Sequence, residues 1–289
     1  MLAIIGIVMV FAMVFGGFIL AGGKMAVIVK ALPFEMMMIG GAGAGSFMIA
    51  NKGNVVKGAL KDIKKVFGNG KWNKKDYSDL LCLMFGILKL IRTKGMIAIE
   101  QHIENPHESA IFGQYPKIQK DHHVTDFIAD TLRMMTMNFE DPHQVEDMME
   151  KQLEKLHHEE AAPAHAVQTL ADALPALGIV AAVLGVIKTM GSINEPVEVL
   201  GAMIGGALVG TFLGVFLAYG FFGPFASKMN QVIDQEHQFF MVIRDILVSH
   251  LHGNAPQVSI EVGRGNVPSK YQASFLEMEA LLNDVKVEG

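Results

Sequence analysis

From Val199 to Ala226 the chain runs without a single charged side chain. Soluble domains rarely bury an uncharged stretch of that length, whereas a helix crossing a ~30 Å hydrocarbon core needs about 20 apolar residues in a row. Met1 to Gly23 is likewise uncharged. It lacks a basic leader and exceeds the ~7–15-residue apolar segment of a secretory signal, so it is expected to be a retained anchor. A second span is expected from about Phe34 to Ala50, with Glu35 at its start. A third is expected from Leu170 to Ile187, with Asp172 near one end and Lys188 at the other, where it can snorkel to the interface. Composition agrees: 18% of the residues are charged, against roughly a quarter in an average soluble chain.

The charges lie between the spans, so the net charge of −5 says little about partners. Lys52, Lys57, Lys61, Lys64, Lys65, Lys71, Lys74 and Lys75 follow the second span, with only Asp62 among them. Basic residues beside a span mark its cytoplasmic side. This reading places residues 51–169 and both termini in the cytoplasm of a bacterial inner-membrane protein, and makes a nucleic-acid patch the weaker alternative. The expected fold is an all-α integral membrane protein. Spans 1 and 2 occupy 1–50, a helical cytoplasmic domain 51–169, spans 3 and 4 170–226, and a cytoplasmic helix and tail 227–289.

In the cytoplasmic segment, small or polar residues recur at helical spacing: Asp79, Cys82, Gly86, Lys89 and Thr93. Gly95 is expected to break or bend this helix before Met96–Ile103. Further helices are expected at Val124–Met137 and Pro142–His158, the latter opened by Asp141-Pro142, a cap followed by a first-turn proline. Ala161-Ala162-Pro163-Ala164 reads as a linker back to the membrane. Ser227–His252 reads as an amphipathic helix, Gln257–Val262 as a short strand, and Tyr271 to about Val285 as a final helix.

Within the spans, Gly41/Gly45, Gly201/Gly205 and Gly206/Gly210/Gly214 are spaced four apart, which lets helix backbones approach closely. That spacing suits packing within one chain or between copies equally well. Pro175 and Pro224 each remove a backbone donor. Glu35 and Asp172 are expected near span ends, leaving no ionisable residue in mid-membrane. If this chain moves ions, the titrating carboxylate is expected from a partner. Thr189, Thr211 and Tyr219 are the main hydroxyls near spans 3 and 4. Neither a zinc motif nor a disulfide is expected, Cys82 being the single cysteine. The pairs His122-His123 and His157-His158 read as solvated helix surface, because adjacent helical residues do not face one another. Gly263-Arg264-Gly265 reads as a turn. No enzymatic constellation and no cofactor is expected.

Several longer motifs are more specific. They are Pro33-Phe34-Glu35 before Gly40-Gly41-Ala42-Gly43-Ala44-Gly45-Ser46-Phe47; Ile103-Glu104-Asn105-Pro106-His107-Glu108-Ser109 with Tyr115-Pro116; Leu174-Pro175-Ala176-Leu177-Gly178-Ile179-Val180-Ala181-Ala182; and Val209-Gly210-Thr211-Phe212-Leu213-Gly214 with Leu217-Ala218-Tyr219-Gly220 and Pro224. In these the chain resembles the MotA family, the larger stator subunits of bacterial flagellar motors, over nearly its whole length.

The resemblance implies a homo-oligomer, a pentamer, surrounded by membrane lipid and encircling a MotB-like partner that supplies the ion-binding aspartate. It also implies a cytoplasmic domain that pushes on a FliG-like rotor protein. Pro175 and Pro224 match the family's two functional prolines near the ion path, which also includes Ala182, Thr211 and Tyr219. Arg92 and Glu100 match its rotor-facing charges, and an ideal helix would place both on one stripe with Lys89. Ala182 stands where sodium-type members carry threonine, so the resemblance favours protons. The alternative is an ExbB/TolQ-like energising subunit, similar around the last two spans but with fewer spans and without the 103–116 motif. A secondary transporter would show repeats and polar groups at mid-membrane, which are not seen here. Hydropathy alone leaves a structural membrane scaffold open.

Overall fold

The computed structural model describes residues 2–68, 70–137 and 141–285. Every regular element among them is helical. In chain order these are α1 (Leu2–Leu20), α2 (Met25–Ala50), α3 (Gly53–Asp62), α4 (Lys74–Lys94), α5 (Glu100–Glu104), α6 (Ala110–Gly113), α7 (Pro116–Gln119), α8 (His122–Thr136), α9 (Pro142–Met190), α10 (Val197–Leu251), α11 (Pro256–Asn266) and α12 (Phe275–Asn283). They form two compact units, one of Met1–Asn69 with Glu160–Val232 and the other of Gly70–Glu159 with Ile233–Gly289.

Among the described residues, four helices are long and apolar enough to cross a membrane, and the first unit holds them: α1, α2, and parts of α9 and α10. No residue of α1 is buried, and Leu2, Ile4, Ile5, Val8 and Met9 are all exposed. Such a helix is stable where lipid is the solvent. What attaches it is aromatic: Phe11 and Phe15 pack on Phe212 and Phe216 of α10, with ring centroids 5.4–6.0 Å apart.

Helices α9 and α10 touch backbone to backbone, which the glycines permit. A Cβ on Gly214 would lie 2.5 Å from the Leu174 carbonyl oxygen and 2.9 Å from the Gly178 Cα. One on Gly185 would lie 2.6 Å from the Ala207 Cβ. The fourth-span glycines 210 and 214 are thus used in packing within one chain. Gly41, Gly45 and Gly201 have nothing within 4 Å of where a Cβ would stand.

Two expectations are corrected in this unit. The second span begins at Met25, not Phe34, and runs 26 residues. Lys30 dilutes its hydropathy, but that side chain is exposed, and backbone groups in lipid must still bond within the helix. The supposed linker at 161–164 is unbroken helix within α9. Its alanines favour helix, and the Pro163 ring fits beside Gly58 of α3, where a Cβ would come within 2.9 Å. A π turn interrupts α2 at Met36–Gly40 and another interrupts α10 at Ala218–Phe222. The second lies where Pro224 leaves the Gly220 carbonyl without its usual donor four residues on.

The second unit is built around α4. Asn73 and Asp76 form a reciprocal capping box at its start, which satisfies donors that a helix N-terminus leaves orphaned. Tyr77, Leu80, Leu81, Leu83, Met84, Ile87 and Leu88 are then all essentially inaccessible. The expected polar stripe is only partly a surface, because Cys82 and Gly86 are buried. Burial raises the Cys82 thiol to about 12, with a smaller contribution from Asp79. Trp72 stacks on Phe239 at 4.0 Å, and the ammonium groups of Lys71 and Lys117 lie over its ring while pairing with Asp121 and Asp76.

Gln257–Val262 is helix, not strand, and Gly263-Arg264-Gly265 is not a turn: both lie in α11. Pro256 starts this helix, whose buried face includes Ser259, Ile260 and Gly263. A Cβ on Gly263 would lie 2.3 Å from the Ile246 Cγ1.

Candidate functional site in the membrane helices

The expected ion-path residues occupy two places. Ala182 on α9 and Thr211 on α10 are half-buried, and their helices meet beside them: a Cβ on Gly210 would lie 3.2 Å from both the Ala181 Cβ and the Ala182 backbone nitrogen. Pro175 is half-buried on the same seam, its predecessor Leu174 being the carbonyl that faces Gly214. Tyr219 and Pro224 lie farther along α10, in or just after its π turn. Tyr219 is 72% exposed and Pro224 is exposed as well. Eight residues, ~12 Å of helix rise, separate Thr211 from Tyr219, so these residues form no single cluster within one chain.

Sequence reasoning missed Glu35. It is not near a span end, because it lies ten residues, ~15 Å of helix, inside α2. Only 5% of it is exposed, and its Oε2 is buried without a hydrogen-bond partner. That oxygen lies 2.6 Å from where a Cβ on Gly210 would stand. The expected absence of an acid deep in the spans is therefore corrected. The signal was present in Pro33-Phe34-Glu35, but beginning the span at Phe34 pushed the acid to its edge.

The expected rotor-facing charges lie in the other unit. Arg92 and Lys89 are exposed on the last turns of α4 and line, with Pro256, Gln257, Leu282 and Asn283, a groove of about 470 Å³. Gly95, at φ +85°, ends α4. Glu100 is exposed at the start of the separate helix α5, so the shared ideal-helix stripe does not apply.

The 103–116 motif closes the connection after α5. Glu104 pairs with Arg133 at 2.8 Å. The His102 ring bonds the Ser109 hydroxyl at 2.8 Å, and that hydroxyl accepts from Ile111 N and Phe112 N to cap α6. Burial pushes His102 below the ordinary histidine value. It does the same to His250 and, with help from neighbouring His157, to His237.

Among the described residues no three His, Cys, Asp or Glu side chains are grouped to hold a metal.

The comparisons with known proteins agree along the chain. Residues 4–95 match the family model for the motility protein A N-terminal region, and residues 119–241 match that of the MotA/TolQ/ExbB proton channel family. Motility protein A of Escherichia coli is 39% identical over 286 residues, covering 99% of this chain and 96% of that protein. Chemotaxis protein LafT of Vibrio parahaemolyticus is 33% identical, covering 96% of this chain and 97% of that protein. The fold matches a solved C. jejuni MotAB structure with a TM-score of 0.73 at 23% identity, covering 94% of this chain and 98% of that one. It also matches the flagellar MotAB stator complex of Bacillus subtilis, with a TM-score of 0.69 at 23% identity, covering 89% and 92%.

Proposed function

The chain belongs to the MotA family within the MotA/TolQ/ExbB proton channels, and from that premise we propose how it works as the multi-pass membrane subunit of a flagellar stator. It joins a MotB-like partner whose membrane aspartate binds the travelling ion, and copies of it, five in the complete ring, surround that partner within the lipid of the inner membrane. Both termini and the second unit lie in the cytoplasm. The observation carrying this reading is the match to motility protein A along 99% of the chain. The match of residues 4–95 to the motility protein A N-terminal model favours a stator over an ExbB/TolQ-like energiser.

The ion passes between this chain and the partner, along the face of α9 and α10 that carries Pro175, Ala182 and Thr211, and Tyr219 and Pro224 meet the partner's helices. Exposure of Tyr219 within a span supports a contact outside this chain. Ala182 has no side-chain oxygen to coordinate sodium, which favours a proton as the ion. Each charge crossing 100 mV releases ~2.3 kcal/mol, enough to drive a conformational step without nucleotide, and the chain catalyses no covalent reaction. Arg92 and Glu100, exposed and charged, engage a FliG-like rotor protein.

The test is expression with a MotB-type partner in cells lacking their own stator. Swimming should return and persist without sodium, but stop when the proton gradient is collapsed. Correct membrane insertion without any swimming would overturn the reading.

A further inference from the structure

Inside a membrane span an ionisable side chain is expensive to keep and marks a path for ions or protons. Glu35 is such a residue, with a buried oxygen that receives no hydrogen bond. It is not sealed in, because it lines a cavity of about 570 Å³ between α2, α9 and α10. The cavity reaches from Met38 and Ala207 to Ala26 and Thr189, toward the two short loops at 21–24 and 191–196. On its other flank the carboxylate abuts Gly210, beside Ala181 and Ala182. Glu35 thus stands between a cavity at the loop end of the spans and the seam where α9 and α10 meet. Gly210 leaves the room for it: any side chain there would occupy the carboxylate's place.

The chemistry of the lining selects the occupant. Its other ionisable groups are Lys30 and Lys188, both cations. Its only side-chain oxygens besides those of Glu35 belong to Thr189, whose hydroxyl donates to the Gly185 carbonyl at 2.9 Å. A hard metal cation wants several oxygen ligands, and a proton needs one.

We propose that Glu35 is a proton-binding relay residue contributed by this chain itself, taking a proton from the cavity and passing it to the α9–α10 seam. The proton forms an O–H bond at the carboxylate. When that bond breaks, the proton goes to water on its way to the partner's membrane aspartate and the carboxylate is restored, so nothing is consumed. The direction of travel rests on the stator reading above, whereas proton binding at Glu35 does not.

Two measurements on the full-length chain separate these claims. In the first, Glu35→Gln and Glu35→Asp are expressed with a MotB-type partner in stator-less cells, and rotation is compared at matched membrane levels. Glu35→Gln should rotate at least ~100-fold more slowly, the lower end of the loss when a positioned proton-transfer group is removed, while Glu35→Asp should recover part of the rate. Wild-type rotation of Glu35→Gln overturns the relay. In the second, the purified wild-type chain in lipid vesicles is treated with a hydrophobic carbodiimide and the modified carboxyl is located by mass spectrometry. Labelling at Glu35 should quicken as pH falls and be unaffected by sodium at constant pH. No labelling at any pH, or protection by sodium, overturns proton binding. If Glu35→Gln fails to reach the membrane, or no version restores rotation, this second measurement still decides.

Discussion

Replacing Gly214 by alanine tests the crossing of α9 and α10. The new methyl group would stand 2.5 Å from the Leu174 carbonyl oxygen, 2.9 Å from the Gly178 Cα and 3.1 Å from the Gly178 nitrogen, where ordinary contact begins near 3.4 Å. The shortfall against the carbonyl is about 0.9 Å. All three neighbours are backbone atoms, so no rotamer change relieves it and the helices must separate. Overpacking of this kind costs about 1–3 kcal/mol. An alanine in an open helical site should instead gain up to ~1 kcal/mol, because glycine is the poorer helix former. Gly41 is that control, with nothing within 4 Å of its would-be methyl group. The assay is detergent titration of the purified chain in mixed micelles, following helix content by circular dichroism. Gly214→Ala should unfold at a lower denaturing-detergent fraction than the parent, and Gly41→Ala at the same or a higher one. If both variants move together, glycine at 214 is not what brings the helices into contact.

Gly95→Ala, forced to φ +85°, should cost the second unit about 1–2 kcal/mol, read as an earlier urea midpoint by fluorescence of the sole tryptophan, Trp72. Arg92→Ala should leave that midpoint within ~0.5 kcal/mol, as exposed substitutions do, yet reduce swimming; unchanged swimming would remove Arg92 from the rotor-facing surface. His102, His237 and His250 are all held below the ordinary histidine value chiefly by burial. The unfolded chain therefore takes up protons first as pH falls past ~6.5. Stability contributed by these three should be complete above that value and decline below it, so equal urea midpoints in neutral and mildly acidic buffer would contradict the assignment. Arg133→Ala, which removes the partner of Glu104 at 34% side-chain exposure, should cost at most ~1 kcal/mol in the same titration.

The four spans were legible because lipid imposes a simple rule on composition, and the uncharged run at 199–226 satisfies no other. Their limits were less legible. Lys30 hides nine helical residues of α2, since a hydropathy window counts the ammonium while the lysine stem reaches past the apolar stretch. Misplacing that boundary moved Glu35 from the interior of a helix to its edge and hid a carboxylate buried among the spans. At Gln257–Val262, six residues of alternation are too few to tell a strand from a helix whose buried face is narrow. Pro256 at its start was the better guide. Pro163 was read as a break because sequence cannot show that Gly58 stands opposite to receive its ring.

The burial of Cys82 has a practical consequence. Its thiol is enclosed within α4 and raised to about 12, so thiol reagents at neutral pH meet almost no thiolate there. The natural sequence thus already serves as an unreactive background for single-cysteine mapping. A cysteine placed at Tyr219 or Arg92, both exposed, would be the one site to cross-link or label, and neighbours in the assembled motor can be charted without first altering the core.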